Sequence, residues 1–211
     1  MEKSTLNPEA HFASTIYSIS KPDFLIEVGS AVTELLDRAK SASPLNEVYP
    51  VYMTDTLIGN AKTATLEHFI ANSAWAILND QGYMMDAFET FVSECWAQEH
   101  HKHSGMEQHV HPYGVALSGF YFLKTPEQGC MAEIHDPRPG KVQASLPPRN
   151  LSKVTQANNS LLIKPEPGLM VFTNAWLPHS FTRNASDEPA TFIHFNVSVR
   201  PAQKQAGPII I

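Results

Sequence analysis

The sequence predicts a mainly β fold, a sandwich or jelly roll with helices packed outside it, and three observations carry this. From Phe91 onward, short runs rich in Val, Ile, Phe and Tyr are separated by Gly, Pro, Asn and Ser. Before that point, apolar residues recur at helical spacing instead. The 211 residues are 43 % hydrophobic and 17 % charged. Such a chain can bury a substantial core as one domain spanning residues 1–211.

Residues 1 to about 12 read as mobile. Residues 13–19 read as a strand that offers Ile16, Tyr17 and Ile19 for burial. Ser20 precedes Lys21-Pro22, a helix cap followed by an early proline. Leu25, Val28, Val32, Leu35, Leu36 and Ala39 then carry a helix to about Lys40. Residues 41–50 read as a loop. A second helix is expected from about Thr65 to Leu78, ended by Asn79-Asp80-Gln81-Gly82, with one more short helix over 83–90. The helical part therefore covers about 20–90 and the β core about 91–200. Strands are expected over 91–101, 107–111, 115–123, 131–136, 160–163, 169–173, 179–182 and 190–199. Residues 137–156 form a long loop, a length that often marks a functional lid.

A net charge of −6 argues against a broad nucleic-acid-binding face, which would need surplus Lys and Arg. No apolar run approaches the roughly 20 residues of a membrane helix, and the first residues hold no apolar signal core. Cys95 and Cys130 are the only cysteines and suggest free thiols rather than a disulfide framework. These features point to the cytoplasm.

The compositional anomaly is histidine. There are ten, and His100, His101, His103, His109 and His111 cluster mid-chain. On an extended strand, His109 and His111 project from one face, together with Glu107. His179 arrives from a distant strand, after Pro165-Glu166-Pro167-Gly168, an apolar run and Trp176-Leu177-Pro178. Three imidazoles so placed can grip one face of a metal ion and leave three positions open. A closed zinc site would favour Cys, which is scarce. His100, His101 and His103 are read as solvent-side or supporting groups.

The words around these histidines carry a family resemblance. His109-Val110-His111-Pro112, Leu117-Ser118-Gly119-Phe120-Tyr121-Phe122-Leu123, Asp136-Pro137-Arg138, Pro167-Gly168-Leu169-Met170-Val171-Phe172, Trp176-Leu177-Pro178-His179-Ser180 and His194-Phe195-Asn196 occur in that order. Over about 91–199 the chain resembles the 2-oxoglutarate/Fe(II)-dependent oxygenases, in their prolyl 4-hydroxylase-like bacterial and phage branch. The resemblance implies a double-stranded β-helix (jelly roll) core. It also implies bound Fe(II), with 2-oxoglutarate and O2 as co-substrates and hydroxylation of an unidentified small molecule or peptide. His109, His111 and His179 take the ligand positions, and Tyr121 takes one that binds 2-oxoglutarate in some relatives.

Two departures stand out. His111 replaces the usual carboxylate ligand, so three neutral imidazoles leave the metal's charge uncompensated, and Asp136 or Glu133 could supply the missing carboxylate. The Arg or Lys expected ten or eleven residues beyond the distal His is also absent. Ala190, Phe192, His194 and Asn196 alternate onto one face of the last strand. A protonated His194, with Tyr121 and Asn196, is therefore expected to hold the far carboxylate of 2-oxoglutarate; Arg138 and Arg183 are alternatives. A cupin-like three-histidine metal enzyme without 2-oxoglutarate, and a non-enzymatic β-sandwich binding module, are the competing readings.

Overall fold

The computed structural model describes residues 7, 9–143 and 146–202. Met1–Leu6, within the stretch read as mobile, lie outside the described residues. β1 spans Tyr17–Ser20, and a single 3-10 turn from Pro22 leads into helix α1, Leu25–Ala42. Ser20 is thus the end of a strand and not a cap: the helix entry has no side-chain cap, and Pro22 alone sets the turn. β2 (Val51–Met53) and α2 (Ala64–Asp80) follow. The short helix expected over 83–90 does not form. β3 begins at Phe88 and runs to His100, its β-branched and aromatic content prevailing over the preceding turn.

The remaining strands are β4 (Met106–His109), β5 (Val115–Lys124), β6 (Ala132–His135), β7 (Ser160–Ile163), β8 (Leu169–Asn174), β9 (His179–Phe181) and β10 (Ala190–Pro201). They form two antiparallel sheets. One has six strands in the order β1-β8-β5-β10-β3-β2, and the other four in the order β4-β9-β6-β7. From β3 to β6 and again from β7 to β10 successive strands alternate between the sheets, while β6 and β7 form a hairpin in the smaller one. This is the double-stranded β-helix that the sequence predicts, widened by β1 and the unanticipated β2.

Strand alternation divides the core in two. The outer face of the larger sheet presents Leu117, Tyr121, Met170, Ile193, Phe195 and Val197 to the helices. There they meet Val28, Val32 and Leu36 of α1 and Leu66, Ile70 and Ala74 of α2, each set repeating every three or four residues. The inner face carries Phe120, Phe122, Val171 and Phe192, which close on Ala132 and Phe181 of the smaller sheet. Gly168, at φ +85°, makes the tight turn into β8, and Lys21 N–H donates to its carbonyl at 2.7 Å.

Candidate metal centre

The expected imidazoles converge between the sheets. β4 ends at His109, but His111 N–H donates to Ala175 O at 2.9 Å and holds the chain extended past the strand end. His109 and His111 therefore both turn inward, while Val110 between them is 51 % exposed. His109 pairs directly across the ladder with His179, which is wholly buried. A fourth ring joins them. One ring nitrogen from each of His109, His111, His179 and His194 lies within 4.8 Å of all the others. His194 comes from β10, a central strand, and stacks on Trp96 at 4.4 Å, with His111 tilted to it at 4.9 Å.

The hydrogen bonds fix which nitrogens are free. His109 Nδ1–H donates to Glu107 O at 2.8 Å, and His179 Nδ1–H to Leu177 O at 3.0 Å. Each Nε2 is left with a lone pair. His111 Nε2 and His179 Nε2 stand 3.2 Å apart, close enough for both to serve one cation. Burial, and secondarily the neighbouring His109, pushes His111 down to about 4. Burial does the same to His179, also to about 4, against the opposing pull of the Leu177 carbonyl. His194 is pushed well below the ordinary imidazole range, first by burial and then by His111, His179 and His109. His111, His179 and His194 are therefore neutral at pH 7, the form that binds metal. The donor set fits a divalent transition ion.

The same numbers predict an acid sensitivity. His100, buried away from the cluster between Gln98 and Ser104, is also lowered to about 4. In the unfolded chain each of these histidines titrates near 6.5. Between about pH 6.5 and 4 the unfolded chain therefore takes up protons that the folded chain refuses, and stability falls with falling pH. Thermal melts of metal-free protein should give a melting temperature that drops steadily across that window, and a flat profile there would contradict the burial of these rings.

Other expected residues stand elsewhere. Tyr121 faces the helices: its hydroxyl donates to Lys21 O at 2.8 Å, and its ring packs near Phe24. It shares a strand with Phe120, but alternation sends it to the opposite face, so it does not meet the imidazoles. His194 is on the predicted face, yet burial among other imidazoles keeps it neutral, so it is no substitute for a missing cation. Asn196 is also on that face. Its amide N–H donates to the Glu94 carboxylate, and its buried Oδ1 has no partner. A free acceptor suits an N–H or O–H group and repels a carboxylate.

Neither suggested carboxylate joins the metal cluster. Glu133 points to the outer side and accepts a hydrogen bond from Ser160 Oγ at 2.6 Å. Asp136 is held by Arg138, whose Nε donates to it at 2.9 Å and keeps its carboxyl at about 2. Arg183 donates to His103 O at 2.9 Å. A cleft of about 590 Å³ lies where residues 9–16 face Asp136, Arg138, Asn159 and Leu177, bordered by the long loop. The sequence reading missed Trp96 and Ser118 as neighbours of the site. Once β3 and β5 flank β10 in register, Trp96 and Phe120 stand opposite His194, and Ser118 stands opposite Asn196.

Four convergent imidazoles, two of them buried, inside a double-stranded β-helix are a donor set that suits a non-haem metal ion. Residues 94–196 match the family described as "Putative 2OG-Fe(II) oxygenase". Over that stretch, a little under half of its length, the chain is similar to the 2-oxoglutarate/Fe(II) oxygenases. Solved structures share the fold. The non-heme alpha-ketoglutarate-dependent epimerase SnoN from nogalamycin biosynthesis aligns with a TM-score of 0.66 at 13 % identity, covering 90 % of this chain and 79 % of that one. A Pseudomonas putida prolyl-4-hydroxylase aligns at 0.59 and 11 %, covering 88 % and 93 %. A Trichoplax adhaerens prolyl hydroxylase, in complex with a hypoxia inducible factor peptide fragment, aligns at 0.58 and 10 %, covering 87 % and 83 %. None of the curated proteins matches the sequence.

Proposed function

We propose that the protein, residues 1–211 acting as one catalytic domain, is an Fe(II)- and 2-oxoglutarate-dependent hydroxylase that uses His109, His111 and His179 as metal ligands. The observation that carries this reading is the convergence of these rings with their Nδ1 or backbone anchors already in place. With Fe(II) and 2-oxoglutarate bound, the chemistry supplied is oxidative decarboxylation of the 2-oxo acid to succinate, coupled to insertion of oxygen from O2 into a substrate C–H bond. The chain's contribution is positioning and dryness. The Leu177 and Glu107 carbonyls hold His179 and His109 in one tautomer. Phe120 stands edge-on to His179 at 5.4 Å and keeps water from that side.

The interior near the imidazoles offers neutral groups to the far carboxylate of 2-oxoglutarate, with the Ser118 hydroxyl beside His194 Nε2 at 3.4 Å. No Lys or Arg is buried among the described residues. The prolyl hydroxylases of this fold make a peptide one candidate for the primary substrate. No helix of the described residues is long and apolar enough to cross a membrane. Two buried free cysteines support a reducing, cytoplasmic setting.

Anaerobic titration of the Fe(II)-loaded protein with 2-oxoglutarate tests the reading. A visible charge-transfer band that saturates at one equivalent is expected. Stoichiometric Fe(II) without that band would instead favour a three-histidine enzyme that does not use 2-oxoglutarate, the reading to which the missing cation points.

A further inference from the structure

We propose that the resting metal centre has four protein ligands, with His194 as the fourth. The inference rests on the metal-ligand reading above and extends it. His194 is only 1 % exposed, and one of its ring nitrogens lies in the same 4.8 Å cluster as those of His109, His111 and His179. Of the four rings it alone has a fully buried nitrogen without a hydrogen-bond partner. Nδ1 has no hydrogen-bond partner, and Nε2 has only Ser118 Oγ at 3.4 Å, longer than a good hydrogen bond. An unpaired buried polar group is costly, and native proteins rarely leave one without a purpose.

The surroundings of His194 are aromatic and rigid. Trp96 stacks on one face of the ring, and Phe120 stands edge-on at 5.2 Å. β10 is hydrogen-bonded to both β3 and β5 at this level, so the ring is carried on a fixed backbone. Neither neighbouring ring offers a hydrogen bond to Nδ1. A cation shared by the four clustered nitrogens would give the ring a partner that its surroundings do not. Four of the six positions of an octahedral ion then come from the chain at rest, and the three open positions that the oxygenase reading needs return only when His194 leaves the ion.

The test uses the full chain and two metals. In ¹⁵N-histidine-labelled protein loaded with one equivalent of Zn(II), nitrogen shifts separate metal-bound from free ring nitrogens. Four bound rings are expected; three, with His194 free, would overturn the proposal. Independently, Co(II) affinity is read by chelator competition for wild type and His194→Phe, which keeps a flat ring against Trp96. The variant should melt no lower than wild type when metal-free, because it loses an unsatisfied polar atom, yet bind Co(II) at least about tenfold more weakly. Wild-type affinity in a folded variant would sink the assignment of His194 alone. Retained binding in His179→Ala would sink the underlying three-ligand reading instead, so the two failures are distinguishable.

Discussion

Replacing His179 by Ala should abolish stoichiometric metal binding and, with it, any metal-dependent succinate formation. This ring lies against both His109 and His111, at 4.5 and 5.1 Å between ring centres. It is wholly buried, its Nδ1–H is anchored on Leu177 O at 3.0 Å, and its Nε2 is the nitrogen nearest His111 Nε2, at 3.2 Å. Loss of a group that merely orients a ligand costs about 10–100-fold in metal affinity, so loss of the ligand itself should cost at least about 100-fold. His135→Ala is the matched control. His135 lies on the neighbouring strand β6, but its Nε2 meets Ser180 Oγ at 2.8 Å on the outer side and is absent from the cluster. Metal analysis after purification, followed by chelator competition, should find the ion in His135→Ala and not in His179→Ala. A His179→Ala protein that keeps its metal at native affinity would remove the basis of the site.

How much of this was legible in the sequence depends on whether the deciding signal was local. The β core was readable because each strand carries its own period-2 pattern, and the bounds of β7 and the start of β8 were read to the residue. The convergence of His109, His111 and His179 was readable because its words are specific. The inward face of β10 followed from alternation alone, and Phe192, His194 and Asn196 do share it. The failures need a third dimension. Tyr121 lies one residue from the inward-facing Phe120, and nothing in its immediate sequence says which face it takes; the helices that claim it lie far away in the chain. The charge of His194 was misjudged because protonation depends on burial among three other imidazoles, a property of the assembled barrel. Tyr83 to Ala87 carries apolar residues at a spacing that suits a helix, but the chain there turns into the long strand β3.

The second large effect concerns a residue that touches no metal. Gly119→Ala should lower the melting temperature by about 10 °C or prevent folding. Gly119 is in the middle of β5, paired with Phe195 of β10 on one side and Phe172 of β8 on the other. A Cβ there would stand 2.3 Å from Phe195 Cζ and 2.3 Å from the Val171 carbonyl oxygen. A ring can tilt, but a backbone carbonyl committed to a sheet cannot retreat by an ångström without parting strands. Overpacking of this kind costs about 3 kcal/mol or more. For a chain of this size that is about 10 °C, and it is a large share of a total stability of about 5–15 kcal/mol. The damage would reach the site, because Ser118 and Phe120 flank Gly119 and both face His194. Gly29→Ala in α1 should act in the opposite direction. Nothing lies within 4 Å of its added Cβ, and alanine favours a helix over glycine by about 1 kcal/mol. Melting both variants metal-free separates the explanations. If Gly119→Ala melts with wild type, β5 is not packed between β8 and β10 as closely as the ladder requires. If both variants fall together, glycine flexibility rather than steric exclusion governs, and the close approach of Phe195 to β5 is not what fixes the wall beside the metal.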